Sequence, residues 1–327
     1  MGRELFILRH GKVQKTRASE IPRLELKDKG KRNAQRMGAW LAQKALLPDF
    51  VVSSPAPCAV TTAQKCCKSA GLCGDVVTRD ARLYPGTVAD VMDVVRELPK
   101  TARRVMVVGH NPALDNALAT LSRAPVPRNE KDGILLPGTL AHLHIDGAWH
   151  DVDAGCGKVL DIVEPKTLPR LFPFPSPDGA ERRSRPAYYY RQSSVVPFRR
   201  RKKRLEVLVI SSSKQKHWVI PKGIHDPGLS AQQSAAKEAF EEAGVEGLVL
   251  DRMIASYSYD KWDATCDVAV YPMEVTNEIS DSTWEERHRT RQWVSVEQAA
   301  SMVLNDDVKR IIAQLPSMIE GMIEGGV

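Results

Sequence analysis

The sequence predicts an α/β protein built as two domains, and three observations lead there. The chain has 327 residues, more than the roughly 100–200 that one domain usually takes. Short apolar runs such as Leu5-Phe6-Ile7-Leu8 and Arg104-Val105-Met106-Val107-Val108 alternate with longer amphipathic stretches, the order that covers a sheet with helices on both faces. Pro165, Pro169, Pro173, Pro175 and Pro177 then fall in one stretch that can form neither regular helix nor interior strand. Arg182-Arg183-Ser184-Arg185-Pro186 extends it as a basic connector. The expected organisation is a domain over 1–164, a connector over 165–187, a second domain over 188–314 and a tail over 315–327. Parts of 160–177 can instead pack as an extended arm on the first domain. The two halves share no periodicity, so no internal repeat is expected.

In the first half, Leu5 to Leu8 reads as a strand that opens into Arg9-His10-Gly11. Asn33 to Leu46 reads as an amphipathic helix, Phe50 to Ser53 as a strand, and Ala56 to Ser69 and Thr87 to Leu98 as helices. Arg104 to Val108 is a second apolar strand and opens into Gly109-His110-Asn111-Pro112, and Leu140 to Ile145 is a later strand. His10 and His110 therefore both follow strands at their C-terminal edge, where open α/β sheets bind ligands, and one phosphate could lie between them. His142 and His144 share a strand face and read as solvated residues rather than a metal pair, and Asp151 and Asp153 match no ligand spacing.

In the second half, Leu205 to Ile210 and Trp218 to Ile220 read as strands, and Pro221-Lys222-Gly223 turns the chain. Ser230 to Ala236 leads into a helix carrying Lys237, and Gly244 is a favourable end for it. Thr265 to Met273 is a further strand, and Arg291-Gln292-Trp293-Val294 precedes a helix beginning near Val296. Glu238, Glu241 and Glu242 stand at i, i+3 and i+4, so the helix gathers three carboxylates on one face. Like charges held together call for a compensating cation, and Mg²⁺ or Mn²⁺ bound through oxygen supplies one beside a phosphate-bearing substrate. The plainer alternative is a solvated acidic face. Arg199 to Arg204 are six consecutive cations, with Lys214, Lys216 and His217 following. They suit a polyanion or simply a solvated turn, and without interleaved aromatic residues nucleic acid is not the favoured partner.

The spacing Gly223, five residues, Leu229, seven residues, then Lys237-Glu238-Ala239-Phe240-Glu241-Glu242-Ala243-Gly244-Val245 resembles the Nudix hydrolase box. Leu229 stands where the family has a glutamate, and Lys237 where it has an arginine. Residues 188–314 are similar to the diphosphoinositol- and diadenosine-polyphosphate branch of that family. The resemblance implies an α/β/α sandwich and phosphoanhydride hydrolysis by a metal-activated water. It implies a metal site at Glu238, Glu241, Glu242 and Gly223, substrate contacts at Lys222, Arg199, Lys216 and Arg291, and structural roles for Lys237 and Gly244.

Residues 1–162, with Arg9-His10-Gly11, Val52-Ser53-Ser54-Pro55-Ala56 and Gly109-His110-Asn111-Pro112, resemble the histidine phosphatase superfamily and its small phosphohistidine-phosphatase branch. This implies a phosphoglycerate-mutase-like three-layer α/β/α domain in which His10 is the nucleophile and Arg9 and His110 hold the transferring oxygens. Cys58 stands where the family carries a phosphate-binding arginine, and losing such a donor costs about 3 kcal/mol of transition-state stabilisation. Lys12 and Arg17 are candidate substitutes. Cys58 has no activating partner visible in sequence and reads as a small filler.

The formal net charge of +7 favours anionic ligands. The six cysteines form neither a disulfide framework nor a metal-ligand pattern, and no apolar run reaches the length of a membrane span. With a charged start in place of a signal peptide, a cytoplasmic, bacterial setting is expected. The expected function is a Mg²⁺-dependent hydrolase of nucleoside, dinucleoside or inositol polyphosphates, joined to a phosphatase-like domain of reduced activity. A bifunctional enzyme that also acts on a phosphoprotein, and a non-catalytic polyphosphate or nucleic-acid binder, remain open alternatives.

Overall fold

The computed structural model describes residues 2–16, 23–128, 133–202 and 204–324. The chain divides into two compact units between Arg182 and Arg183. The expected 165–187 connector is thus divided, and its first part belongs to the first unit: Pro165, Leu168 and Phe172 are buried, and Leu168 joins the core cluster of that unit.

The first unit contains strands β1 (Arg3–Arg9), β2 (Val13–Thr16), β3 (Arg23–Leu26), β4 (Phe50–Ser53), β5 (Val77–Arg79), β6 (Arg104–Gly109), β7 (Leu140–Ile145) and β8 (Gly157–Val163). Its helices are α1 (Asp28–Gln43), α2 (Pro57–Ser69), α3 (Val88–Arg96) and α4 (Ala113–Leu121). Six strands form one sheet in the order β5-β4-β6-β1-β7-β8, with β1, β4, β5 and β6 parallel and β7 and β8 antiparallel. Alternation along the central strands splits the core. Leu5, Ile7, Val105 and Val107 pack with Val91 and Val95 of α3 and Leu114 and Leu118 of α4. Phe6, Leu8, Met106 and Val108 pack with Met37 and Leu41 of α1 and Ala59 and Ala63 of α2. Both faces are covered, which is why β1 and β6 read as continuous apolar runs. Burying each of these larger side chains contributes about 1.5–3 kcal/mol.

Two boundaries have local causes. α3 starts where Thr87 and Asp90 cap each other reciprocally, satisfying N–H groups the first turn leaves unpaired. α1 begins at Asp28 rather than Asn33, because Gly30 serves close packing instead of breaking the helix: a Cβ there would lie 2.5 Å from the Lys12 carbonyl oxygen.

Short extended segments β9 (Phe172–Pro173) and β10 (Arg182–Arg183) follow. The second unit holds β11 (Arg191–Arg201), β12 (Arg204–Ser211), β13 (Trp218–Val219), β14 (Lys222–Ile224), β15 (Val245–Val249), β16 (Ala255–Lys261), β17 (Ala264–Glu278) and β18 (Arg291–Ser295). Its helices are α5 (Ala231–Ala243), α6 (Val296–Met302) and α7 (Asp306–Glu324). The long strands β11 and β17 run parallel at the centre. Val195, Leu208 and Ile210 pack under Ala235, Ala239 and Ala243 of α5. Val196, Val207, Val209 and Val270 face the other way, toward Ala299 of α6 and Ile311, Ile312 and Leu315 of α7. The expected tail over 315–327 is instead largely the second half of α7, with Leu315 and Ile319 buried. The run of cations forms the β11–β12 hairpin, where Arg201 pairs with Arg204 and Lys202 takes a positive φ of 49°. Arg200, Arg201 and Arg204 are exposed there, and Lys203 lies outside the described residues. No helix among the described residues is long and apolar enough to cross a membrane.

Candidate active sites

Helix α5 starts at Ser230, whose hydroxyl accepts from the Gln233 N–H while the Gln233 side chain accepts from the Ser230 N–H. It ends at Gly244, held at φ 62°, a conformation glycine adopts without strain. Strand β14 lies beside β11, with Gly223 opposite Ser193 and Lys222 opposite Ser194. This places Gly223 directly under α5. A Cβ on Gly223 would lie 1.9 Å from the Glu238 carboxyl carbon, so a side chain there would displace the carboxylate from its present position.

Burial, then the charges of Glu242, Glu241 and Asp226, raise the Glu238 pKa to about 8. Burial also raises that of Glu242, whose oxygens accept from the Lys222 N–H at 2.9 Å and from Arg289 Nη2 at 2.5 Å. Lys222 Nζ lies 3.9 Å from the Tyr259 ring centre. Burial and the neighbouring Lys261 bring the Lys222 pKa down to about 8. Lys222 also lines a cavity of about 200 Å³ with His217, Trp218, Tyr257, Tyr259 and Leu304. The chemistry of the carboxylates suits a hard divalent cation: α5 carries three oxygen donors, and burial first, then like-charged neighbours, push Glu238 far from its ordinary pKa. Ser193, opposite Gly223, keeps a buried hydroxyl with no hydrogen-bond partner.

Two expected substrate contacts have protein partners in the structure. Arg291 donates to the carbonyls of Ala243, Gly244 and Ile279 and pairs with Glu278 and Asp281, so it closes the C-terminal end of α5. Arg199 pairs with Glu206 at 2.7 Å and lies over the Trp293 ring, a partner set that stabilises the sheet surface. Lys216 is exposed on the loop beside the cavity residue His217.

Sequence reasoning missed two residues. Arg289, with its side chain 7% exposed, bridges Glu242 and Glu286. Asp226 accepts from Lys237 Nζ at 2.9 Å, so a carboxylate three positions before Leu229 partners the box cation. The signal was present in the sequence, as an acidic residue inside the five-residue spacer.

In the first unit, β1 and β6 run side by side with Arg9 opposite Gly109, which brings His10 and His110 to the same sheet edge. Their ring centres are 4.7 Å apart. His10 Nδ1 lies 2.8 Å from the Gly11 carbonyl oxygen, and His110 Nε2 lies 2.9 Å from Ser54 Oγ. Burial lowers the pKa of both, and the charges of His10 and Arg9 help take His110 down to about 4; both imidazoles are neutral at pH 7. Arg9 Nη1 donates to the Leu135 carbonyl at 2.7 Å, while its buried Nε and the Asn111 Oδ1 have no partner. Arg9 also lines a cleft of about 620 Å³ with Lys12, Lys29, Asn33 and Lys166. Lys12 is thus placed beside the anion cleft, and Arg17 lies outside the described residues. Cys58, on the first turn of α2, is fully buried. His142 and His144 instead pair with Glu4 and Asp146.

The NUDIX domain model matches residues 189–315. The model of histidine phosphatase superfamily (branch 1) matches residues 5–84. The chain joins a histidine phosphatase superfamily domain to a Nudix domain. Its Nudix domain is 35% identical over 104 residues to Nudix hydrolase 16, mitochondrial, of Arabidopsis thaliana, covering 29% of this chain and 56% of that protein. It is 34% identical over 102 residues to diphosphoinositol polyphosphate phosphohydrolase 3-beta of Bos taurus, covering 30% of this chain and 60% of that protein. The chain therefore spans between half and two thirds of the length of these relatives. Among solved structures, the histidine phosphatase domain is similar to the protein histidine phosphatase SixA complexed with tungstate, at 21% identity and a TM-score of 0.39, covering 50% of this chain and 97% of that one.

Proposed function

We propose that the Nudix domain hydrolyses a phosphoanhydride bond of a nucleoside or dinucleoside polyphosphate with Mg²⁺ or Mn²⁺. The observation that carries this reading is the Glu238 carboxylate seated on Gly223, with the adjacent Lys222 lining an aromatic cavity. The cation, held by Glu238 and Glu241 with Glu242 and the Gly223 backbone beside them, would lower the pKa of a bound water and neutralise phosphate charge. Glu242 is braced by Arg289 and the Lys222 N–H, so it orients β14 against α5 as well as adding charge. Lys222 meets the phosphates, and the faces of Tyr257, Tyr259 and Trp218 suit a nucleobase better than an inositol ring, which offers hydroxyls and no π-face. The three-layer order expected of each domain is supported by core clusters on opposite sides of each sheet.

For the histidine phosphatase domain, a neutral His10 with Nδ1 held by Gly11 leaves Nε2 as the lone pair for phosphorus, and Arg9 and Lys12 face an anion cleft. A phosphohistidine phosphatase activity slowed by the loss of arginine at position 58 is the reading these residues support.

The substrate class is tested by comparing diadenosine tetraphosphate with an inositol pyrophosphate in the presence of Mg²⁺. Base stacking on an aromatic ring contributes about 1–3 kcal/mol, so Tyr259→Ala should raise KM for the nucleotide about tenfold or more. Faster turnover of the inositol pyrophosphate, indifferent to Tyr259→Ala, would reject the nucleotide reading.

A further inference from the structure

In the histidine phosphatase domain, Cys58 does more than fill the space of an absent arginine. One ring nitrogen each from His10 and His110 and the Cys58 sulfur all lie within 4.8 Å of one another. They arrive from the end of β1, the end of β6 and the first turn of α2, so the fold assembles the group from positions with no regular spacing. We propose that His10, Cys58 and His110 form a Zn²⁺ site with three protein ligands and a fourth position open to water or a phosphate oxygen.

The donor set matches that ion. Thiolate and imidazole favour Zn²⁺ over Mg²⁺ or Mn²⁺, which prefer carboxylate oxygens, so the site is chemically distinct from the glutamate cluster of the Nudix domain. Zn²⁺ holds nitrogen and sulfur at about 2.0–2.3 Å, which sets neighbouring ligand atoms about 3.5 Å apart. From separations within 4.8 Å, the three atoms would have to close by at most about 1.3 Å to reach it. A ligating histidine usually has its other ring nitrogen held by an outer partner. For His10 that partner is the Gly11 carbonyl, 2.8 Å from Nδ1, which leaves Nε2 for the ion. Ser54 Oγ, 2.9 Å from His110 Nε2, contacts the second ring. On binding, the Cys58 thiol releases its proton to solvent and the sulfur lone pair forms the Zn–S bond.

The ion has two consequences. It restores the positive charge that this pocket lacks without an arginine at position 58. It also takes the Nε2 lone pair that His10 would offer to phosphorus, so a metal-loaded pocket and phosphoryl transfer through His10 exclude one another. This inference is independent of the Nudix reading.

The test is a titration of full-length protein with Co²⁺ as a spectroscopic stand-in, in excess Mg²⁺ to occupy the carboxylate site. The expected result is a stoichiometric thiolate-to-cobalt charge-transfer band with intense visible bands of a tetrahedral ion. Both should be displaced by Zn²⁺, the charge-transfer band lost in Cys58→Ser, and the visible bands weakened in His110→Ala. Absence of the charge-transfer band from the wild-type protein would overturn the site without recourse to any variant. A band that survives Cys58→Ser in a protein with unchanged circular dichroism would assign the thiolate to another cysteine and overturn it as well.

Discussion

At the residue scale, Glu238 links the fold to pH. Its folded pKa of about 8 lies above the ordinary glutamate value of 4.5, so the folded state holds this proton more tightly than the unfolded chain does. Stability from this group is complete below the ordinary carboxylate range and is lost as pH rises through about 8. At the proposed cation site, a divalent cation would take the proton's place. The gain in Tm on adding Mg²⁺ should therefore be larger near about pH 9 than near about pH 6, and should vanish in Glu238→Gln. Equal gains at both values would remove Glu238 from the cation site. Lys222 works in the opposite sense: its pKa is lowered to about 8, and as a phosphate-binding cation it should lose substrate as it deprotonates. KM should rise above that pH, and Lys222→Met should raise KM while abolishing this dependence. A wild-type KM that stays flat through the same range would place Lys222 outside the phosphate contacts.

Glu241 and Glu242 read alike in sequence because both lie on the face defined by Glu238. The structure separates them through Arg289, which no helical spacing reveals because it comes from a loop after β17. Its side chain is 7% exposed and pairs with Glu242 and Glu286. Leaving one member of such a buried pair without its partner costs about 3–5 kcal/mol. Arg289→Ala should lower the denaturant midpoint by that equivalent, whereas Glu241→Gln should leave it nearly unchanged while turnover falls. An unaltered midpoint in Arg289→Ala would make the bridge incidental.

At the element scale, what was legible followed from strong periodicity. The two central strands of the first domain and the Gly244 terminus of α5 were readable because continuous apolar runs and a glycine stop mark them. Helix α7 was hidden by Gly321 and the glycine-rich end, although Ile311, Ile312, Leu315 and Ile319 follow helical spacing and are buried. The partners of Arg199 and Arg291 were not legible in the sequence, because the carboxylates and helix-end carbonyls they meet come from distant segments. The missing box glutamate at Leu229 looked like a defect, and Asp226 bonded to Lys237 answers it from within the loop. A double-mutant cycle with Asp226→Asn and Lys237→Met should show a coupling of about 1 kcal/mol. Additive effects would mean that the loop is held by its backbone contacts alone, among them Asp226 N–H to Ser234 Oγ.

At the scale of the whole molecule, the chain carries two proposed sites of different chemistry. One has the Glu238 carboxylate against Gly223, and the other brings two imidazoles and a buried thiol together near a cleft that Arg9 and Lys12 line. Sequence order pointed to both. It did not show that Cys58 meets the two histidines, since their three positions are far apart along the chain. The most direct test of the central claim is product analysis on full-length protein with Mg²⁺ and diadenosine tetraphosphate, run beside Glu241→Gln and His10→Ala. The expected result is nucleotide hydrolysis that is lost in Glu241→Gln and retained in His10→Ala. Hydrolysis that survives in Glu241→Gln, or is absent from the unaltered protein, would contradict a catalytic Nudix site.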